Sequence, residues 1–313
     1  MNIWTLTPFL VAALLFAGSC SNSERQDSGN IVPVALEDTF DIPDDFGDYW
    51  YQGEAELTSY DLVQARYGEL RDGHAVLIFV TEDFSRSRHV KLNNQGTAGS
   101  DAVKVLKLNL TKKFLTGIYP YSLMSSVFTP IYDGERVLKV TTSSQEWCGH
   151  SFSDIRRIGD GYDVTTLSYF EGESGTAKLD DVLLEDGIWT TLRLDPSSLP
   201  QGEFAMVPGQ MFQRLAHIDS NPVAATGRIE NRDEELARYI LEYPSLQRTL
   251  TIDYSRSFPY TINGWVEQHQ SGFGPNATDM TTTATVRERV KTDYWNRNSN
   301  ADSEWRTRLG LNP

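Results

Sequence analysis

Arg248 to Ser255 read RTLTIDYS. Leu250, Ile252 and Tyr254 fall on one side of an extended chain, and Thr249, Thr251 and Asp253 fall on the other. One dry face and one wet face is the pattern of antiparallel sheet, because parallel strands are covered on both faces and read apolar throughout. The same grammar extends over HAVLIFVTEDF, RVLKVTTSSQEW, YDVTTLSYF, GIWTTLRLD and TTTATVRERV, all rich in Val, Ile, Thr, Tyr and Phe. Turn signals lie among these runs at Asp72-Gly73, Asp133-Gly134, Asp160-Gly161, Asp186-Gly187 and Asn263-Gly264. Such pairs suit tight hairpins whose central residues take positive φ.

The expected fold is therefore all-β: a large twisted antiparallel sheet or two packed sheets, with a half-barrel among the forms it can take. A short C-terminal helix is expected in NADSEWRTRLG, with Asn300 or Asp302 as N-cap, Arg306 and Arg308 in the last turn and Gly310 just past the end. A break near Leu199-Pro200-Gln201-Gly202 divides residues 49 to 313 into two candidate halves.

The first twenty residues, MNIWTLTPFLVAALLFAGSC, hold an apolar stretch too short to span a bilayer, followed by small residues. This is the shape of a signal peptide covering residues 1 to 19. Ala17, Gly18 and Ser19 ahead of Cys20 resemble the lipobox of bacterial lipoproteins, in which the cysteine is acylated and becomes the mature N-terminus. The expected address is the cell envelope, with the outer membrane as anchor and the acyl chains on Cys20 as the membrane link. Only one other cysteine exists, Cys148. Acylation of Cys20 would leave it without a partner, so no disulfide framework is expected and the fold must rest on its core.

The net charge of −15 belongs entirely to the chain beyond residue 19. Eight acids and one base lie between Ser21 and Asp48, so residues 20 to 48 read as an anchor and an acidic tether. This balance argues against nucleic acid and against adhesion of the protein surface to anionic lipid.

Candidate chemistry centres on SSQEWCGHSF, Ser143 to Phe152. Read as one strand, Glu146, Cys148 and His150 share a face at a spacing of roughly 6.5 to 7 Å. That is long for a Cys–His hydrogen bond, and Cys-x-His supplies two of the three or four ligands zinc needs. The bland reading makes Cys148 a core residue beside a Trp-lined sheet. His74, His89, His217 and His269 are scattered singly, and no metal or cofactor is expected. The adjacent acids Glu171 and Glu173, and Glu82 with Asp83, read as turn residues rather than a glycosidase pair. No G-x-S-x-G, H-E-x-x-H or C-x-x-C occurs, and SGFGPNATD lacks the Lys of a phosphate loop. Seven Trp and fourteen Tyr are the more suggestive feature, since aromatics on a β-platform bind sugars or acyl chains.

The runs QARYGELRDGHAVLIFVTEDF, KKFLTGIYPYSLMSSVF, SSQEWCGH, SYFEGE, LRLDPSSLPQGEF, SGFGPNATDMTTTAT and YWNRNSNADSEWRTRLG resemble a family of exported lipoproteins of Bacteroidetes-type bacteria. Members often carry the label "septum formation inhibitor Maf". The Ser-Pro-Arg-Arg signature of the Maf pyrophosphatases is absent here, so the resemblance implies an address and a fold but no activity and no site residues. A fold-level analogy extends to half-barrel carriers of the LolA and LolB kind, which hold acyl chains against a curved sheet. Two functional expectations follow. The first is a non-enzymatic binding, carrier or envelope-interaction module for a lipid or glycan ligand, and the carrier form of it needs a continuous apolar concavity. The second is an envelope hydrolase with a polar cleft where carboxylates, or His150 and an acid, converge.

Overall fold

The computed structural model describes residues 39–134, 136–271 and 274–311; Cys20 and the expected signal peptide lie outside them. Helix α1 (Phe46–Trp50) leads into β1 (Ala55–Arg66), β2 (Glu69–Ser85), β3 (Val90–Lys91), β4 (Ala102–Thr116), β5 (Tyr119–Pro130), β6 (Lys139–Glu146), β7 (Gly149–Ile158), β8 (Gly161–Ser168) and β9 (Gly175–Leu179). A crossover carrying β10 (Leu183–Leu184) and α2 (Ile188–Leu194) then leads to β11 (Gly202–Val207) and α3 (Gln210–Ala216). The chain continues through β12 (Val223–Asn231), β13 (Leu236–Tyr243), β14 (Arg248–Ser255), β15 (Ile262–Ser271), β16 (Thr278–Thr292) and α4 (Glu304–Arg308).

All sixteen strands belong to one sheet. Its order runs β10 to β16 in sequence, then β1, β2 and β4 to β9, with β3 paired off β2. Every pairing is antiparallel except β10 on β11. The two meanders join where β16 pairs β1, and the residue 199–202 stretch lies between them at the end of the crossover. The outer strands β9 and β10 do not pair, so the sheet stays open.

A single apolar cluster takes Tyr60 from β1, Leu77 from β2, Leu108 from β4, Ile155 from β7, Val164 from β8, Phe204 from β11, Ile252 from β14 and Trp265 from β15. Strands so far apart in one sheet can share one core only if the sheet curls around it. The half-barrel follows from the core. Ile188, Trp189 and Leu192 of α2 belong to the same cluster, and the Trp189 ring meets the Trp265 ring edge-on at 5.3 Å. The crossover therefore runs inside the curl.

RTLTIDYS alternates as expected: Arg248, Leu250, Ile252 and Tyr254 are buried and the residues between them are not. The hairpin assignments need correction. Asp72-Gly73 and Asn263-Gly264 lie within β2 and β15. A side chain at Gly73 would meet the Lys113 carbonyl at 2.2 Å, and one at Gly264 the Ala284 carbonyl at 2.5 Å. These glycines admit a neighbouring strand instead of turning the chain. Asp186-Gly187 lies in a buried turn of the crossover. The two-residue turns are Tyr67-Gly68, Gly117-Ile118, Trp147-Cys148 and Gly159-Asp160. Tyr67 and Gly68 both take positive φ, at 56° and 74°, which matches the twist of the flanking strands.

Helix α4 is present. Its N-cap residue is Ser303, without a side-chain cap, rather than Asn300 or Asp302; Ser299 and Asp302 form a capping box on the 3-10 turn Asn300–Ser303 that leads into it. Gly310 takes φ +63° and donates to Thr307, while Leu311 donates to Arg306, closing the last turn. Leu309 and Leu311 then dock on Leu57, Val76 and Val80, on the outer face of β1 and β2.

Candidate functional site

Glu146, Cys148 and His150 do not form a row. Glu146 ends β6, Gly149 opens β7 and pairs with it, and Trp147-Cys148 is the turn between them. Glu146 is buried and its Oε2 accepts the Cys148 backbone N–H at 2.6 Å. His150 is exposed and pairs with Gln145 in the ladder. Cys148 is exposed, so the expectation of a core cysteine is overturned. Hydrogen bonding and charge from Glu146 raise its pKa, which is the wrong direction for a nucleophilic thiolate. Neither turn residue takes positive φ, so the turn carries no glycine or asparagine signal in the sequence.

The concave face that a carrier would leave open is occupied by the crossover. Arg193 of α2 donates Nη1 and Nη2 to Glu56 at 2.6 and 2.7 Å, and Nε to the Pro259 carbonyl at 2.9 Å. Both side chains are 1% exposed. Tyr49 also donates to Glu56, and the guanidinium lies over the rings of Trp50 and Phe79. Burial opposes charge on Glu56, but Arg193 outweighs it and holds the carboxyl below its usual range. The mainly apolar cavity beside α2, lined by Val137, Leu183 and Ile188, amounts to about 50 Å³. Small-molecule sites measure roughly 300 to 1,000 Å³.

A second ionic cluster lies beneath α3. Arg248 donates to Glu185 through Nη1 and Nη2 at 2.5 and 2.6 Å and to Glu267 through Nε at 2.7 Å. Tyr243 donates to Glu185 at 2.7 Å, and Phe212 of α3 covers the guanidinium at 4.2 Å. Despite burial, Arg248 and Lys112 hold Glu267 at about 2. The neighbouring Asp186 behaves oppositely: burial and then the charge of Glu185 push it up to about 7. It accepts from the Gln210 N–H at 3.1 Å and from Ser125 at 3.4 Å. The Lys112 ammonium stands 4.0 Å from Glu267, and burial lowers its pKa. A chamber of about 40 Å³ adjoins these groups, room for roughly three waters.

A wider opening than either chamber is the seam of the half-barrel. A groove of about 500 Å³ runs between the concave face of β6 to β9 and α3 with the 217–221 loop. Its floor is set by register. Thr142 pairs Ser153 and Ser153 pairs Thr166, so three hydroxyl residues share one face of the groove across three strands, while Ser125, opposite Thr142, is buried and bonds Thr142 and Asp186. Ser151, opposite Ser144 and Ser168, continues the row. At the lip, Glu173 receives Arg214 Nη1 and His217 Nδ1 at 2.7 Å each and Ser168 Oγ at 2.7 Å. Burial pushes Glu173 up, but the hydrogen bonds from Ser168 and His217 and the charge of Arg214 hold it below its usual value. Tyr169 stands exposed nearby, edge-on to Phe170, whose ring in turn meets His217. Of the adjacent acids, Glu171 and Glu173 both line the groove. Glu82 pairs with Lys91 and Lys107 and Asp83 with Lys104.

Among the described residues, no group of three or more His, Cys, Asp or Glu is placed to hold a metal, and no helix is long and apolar enough to cross a membrane. No family model and no curated protein matches the chain. Among solved structures it is similar to a β-barrel-like protein, a domain of unknown function DUF1849, from Brucella abortus. The identity is 7%, covering 76% of this chain and 98% of the other, at a TM-score of 0.44.

Proposed function

We propose that this is an exported envelope protein, anchored through acyl chains on Cys20, whose half-barrel binds a polyhydroxylated ligand, a glycan, along the seam groove without turning it over. The hydroxyl floor carries this reading. Ser and Thr hydroxyls each donate and accept, as sugar hydroxyls do. An acyl chain would find no comparable space in the interior, which α2 occupies. The resemblance to exported lipoproteins and the lipobox-like Ala17-Gly18-Ser19-Cys20 support the address.

The test is retention of the mature chain on peptidoglycan and on envelope polysaccharides, with Ser153→Val/Thr166→Val as the variant. The expected result is binding to one class, lost in the variant while the melting temperature holds. Absence of retention on every glycan overturns the reading, and release of reducing ends would make the protein a hydrolase instead. Mass spectrometry of the N-terminal peptide tests the anchor. An unmodified terminus lacking Cys20 removes it.

A further inference from the structure

In an antiparallel meander, alternate turns fall at the same end. The β1–β2, β4–β5, β6–β7 and β8–β9 connections therefore share one end of the sheet. Each presents large apolar groups to solvent there: Tyr67 and Leu70, Leu115 and Ile118, Trp147, and Tyr169. Ile118 is 83%, Tyr169 72% and Trp147 68% exposed, values at which a side chain protrudes from its surroundings.

The tips are held from behind. Trp147 stacks on Tyr119 at 6.3 Å, Phe114 stacks on Tyr121 at 4.9 Å, and the Tyr67 and Tyr121 hydroxyls are 2.7 Å apart, with Arg66 over both rings.

Charge is distributed to match. The chain as a whole carries 43 acids against 28 Lys and Arg. Yet the two central hairpins, residues 113–120 and 145–150, expose no carboxylate: Glu146 is buried, and the exposed ionisable groups are Lys113, Cys148 and His150. The exposed acids of this end sit at its flanks, Glu69 and Asp72 beside the β1–β2 turn and Glu171 beside Tyr169, so its apolar, acid-free centre is the part that suits an anionic interface.

We infer that this end of the half-barrel docks on a lipid bilayer, with Ile118, Leu115 and Trp147 entering the headgroup–acyl boundary and Tyr67 and Tyr169 lying at headgroup level. The protruding tips flank an opening of about 720 Å³ lined by Phe114, Leu115, Tyr121 and Trp147, and Trp and Tyr are the residues that settle at membrane interfaces. The anchor does not hinder this. The described chain begins near Phe40, which packs beside Tyr162 and Arg136 at the opposite end. The nineteen residues from Cys20 to Asp38 can span at most roughly 65 Å, against about 50 Å for the fifteen residues of β4.

The experiment uses the mature chain with Cys20→Ser, which leaves Cys148 in the tip as the single thiol for an environment-sensitive nitrobenzoxadiazole label. Vesicles of phosphatidylethanolamine and phosphatidylglycerol are added. The expected result is a blue-shifted, brighter emission, with partitioning at least about tenfold weaker in Ile118→Ser/Trp147→Ser and unchanged in Ile158→Ser, whose exposed residue lies at the other end. No spectral change, or equal loss in Ile158→Ser, overturns the proposal. Tip-dependent self-association without a vesicle response overturns it in favour of a second copy. Glycan retention measured on the same tip variant is expected to be intact, so failure here and failure of the groove reading are told apart.

Discussion

Two buried ionic clusters hold the crossover inside the half-barrel, and they are built differently. Around Glu56 one carboxylate meets the Arg193 guanidinium bidentately, Arg193 Nε donates to a carbonyl, and Arg289 adds a second positive charge 3.9 Å away. Around Arg248 three carboxyls, Glu185, Asp186 and Glu267, share two cations, and one of those, Lys112, reaches its carboxylate only at 4.0 Å. The first is a closed fastening. The second holds three carboxyls against two cations, and burial, then the charge of Glu185, push Asp186 up to about 7. It also lies next to water-sized space and to α3, the wall of the groove. A fastening can be fully paired because nothing has to enter beside it. The cluster at the groove wall is less completely paired.

The largest effect should come from breaking the closed pair. Arg193→Met leaves Glu56 buried beside a tyrosine and without its guanidinium, and the expected loss in chemical denaturation is about 3–5 kcal/mol. Asp186→Asn should act in the other direction. The folded carboxyl keeps its proton up to about 7 while the unfolded one releases it near 3.8. Wild-type stability from this group therefore falls as pH rises across that window. The asparagine variant is expected to gain about 1–2 kcal/mol at pH 8 relative to wild type and to lose this part of the slope; a loss at pH 8 would show that the carboxylate is needed ionised. Glu267 gives the opposite sign. Held at about 2 against an ordinary 4.5, it contributes stability above pH 4.5 that is lost as pH falls toward 2, and Glu267→Gln should flatten that acid limb. Cys148→Ser is expected to change stability by no more than about 0.5 kcal/mol, because the thiol is exposed in a turn. A larger loss would contradict that placement.

Much of the sheet was legible along the chain. RTLTIDYS alternates in burial residue by residue, because a strand's facing is settled by its own period of two. The turns were less legible. Asp72-Gly73 within β2 and Asn263-Gly264 within β15 look like hairpins, yet Gly73 and Gly264 are small because another strand's carbonyl lies against them. Trp147-Cys148 turns without positive φ, so the facing of Cys148 was misread by continuing an alternation through a turn. In the candidate site, Ser153 and Thr166 were visible only as ordinary strand residues. Their common floor depends on register across β6, β7 and β8. Glu56 and Arg193, 137 residues apart, had nothing to distinguish them among the other charges.

By itself the sequence determined an antiparallel all-β chain ending in a capped helix, because strand alternation and the Gly310 stop are local preferences that each segment expresses alone. Only the tertiary structure decided that the sheet curls, that α2 occupies its interior, that the hydroxyls line one seam and that the apolar turns gather at one end. Those outcomes depend on which distant strands pair and in what register, and that is settled by one shared core rather than by any segment's own pattern.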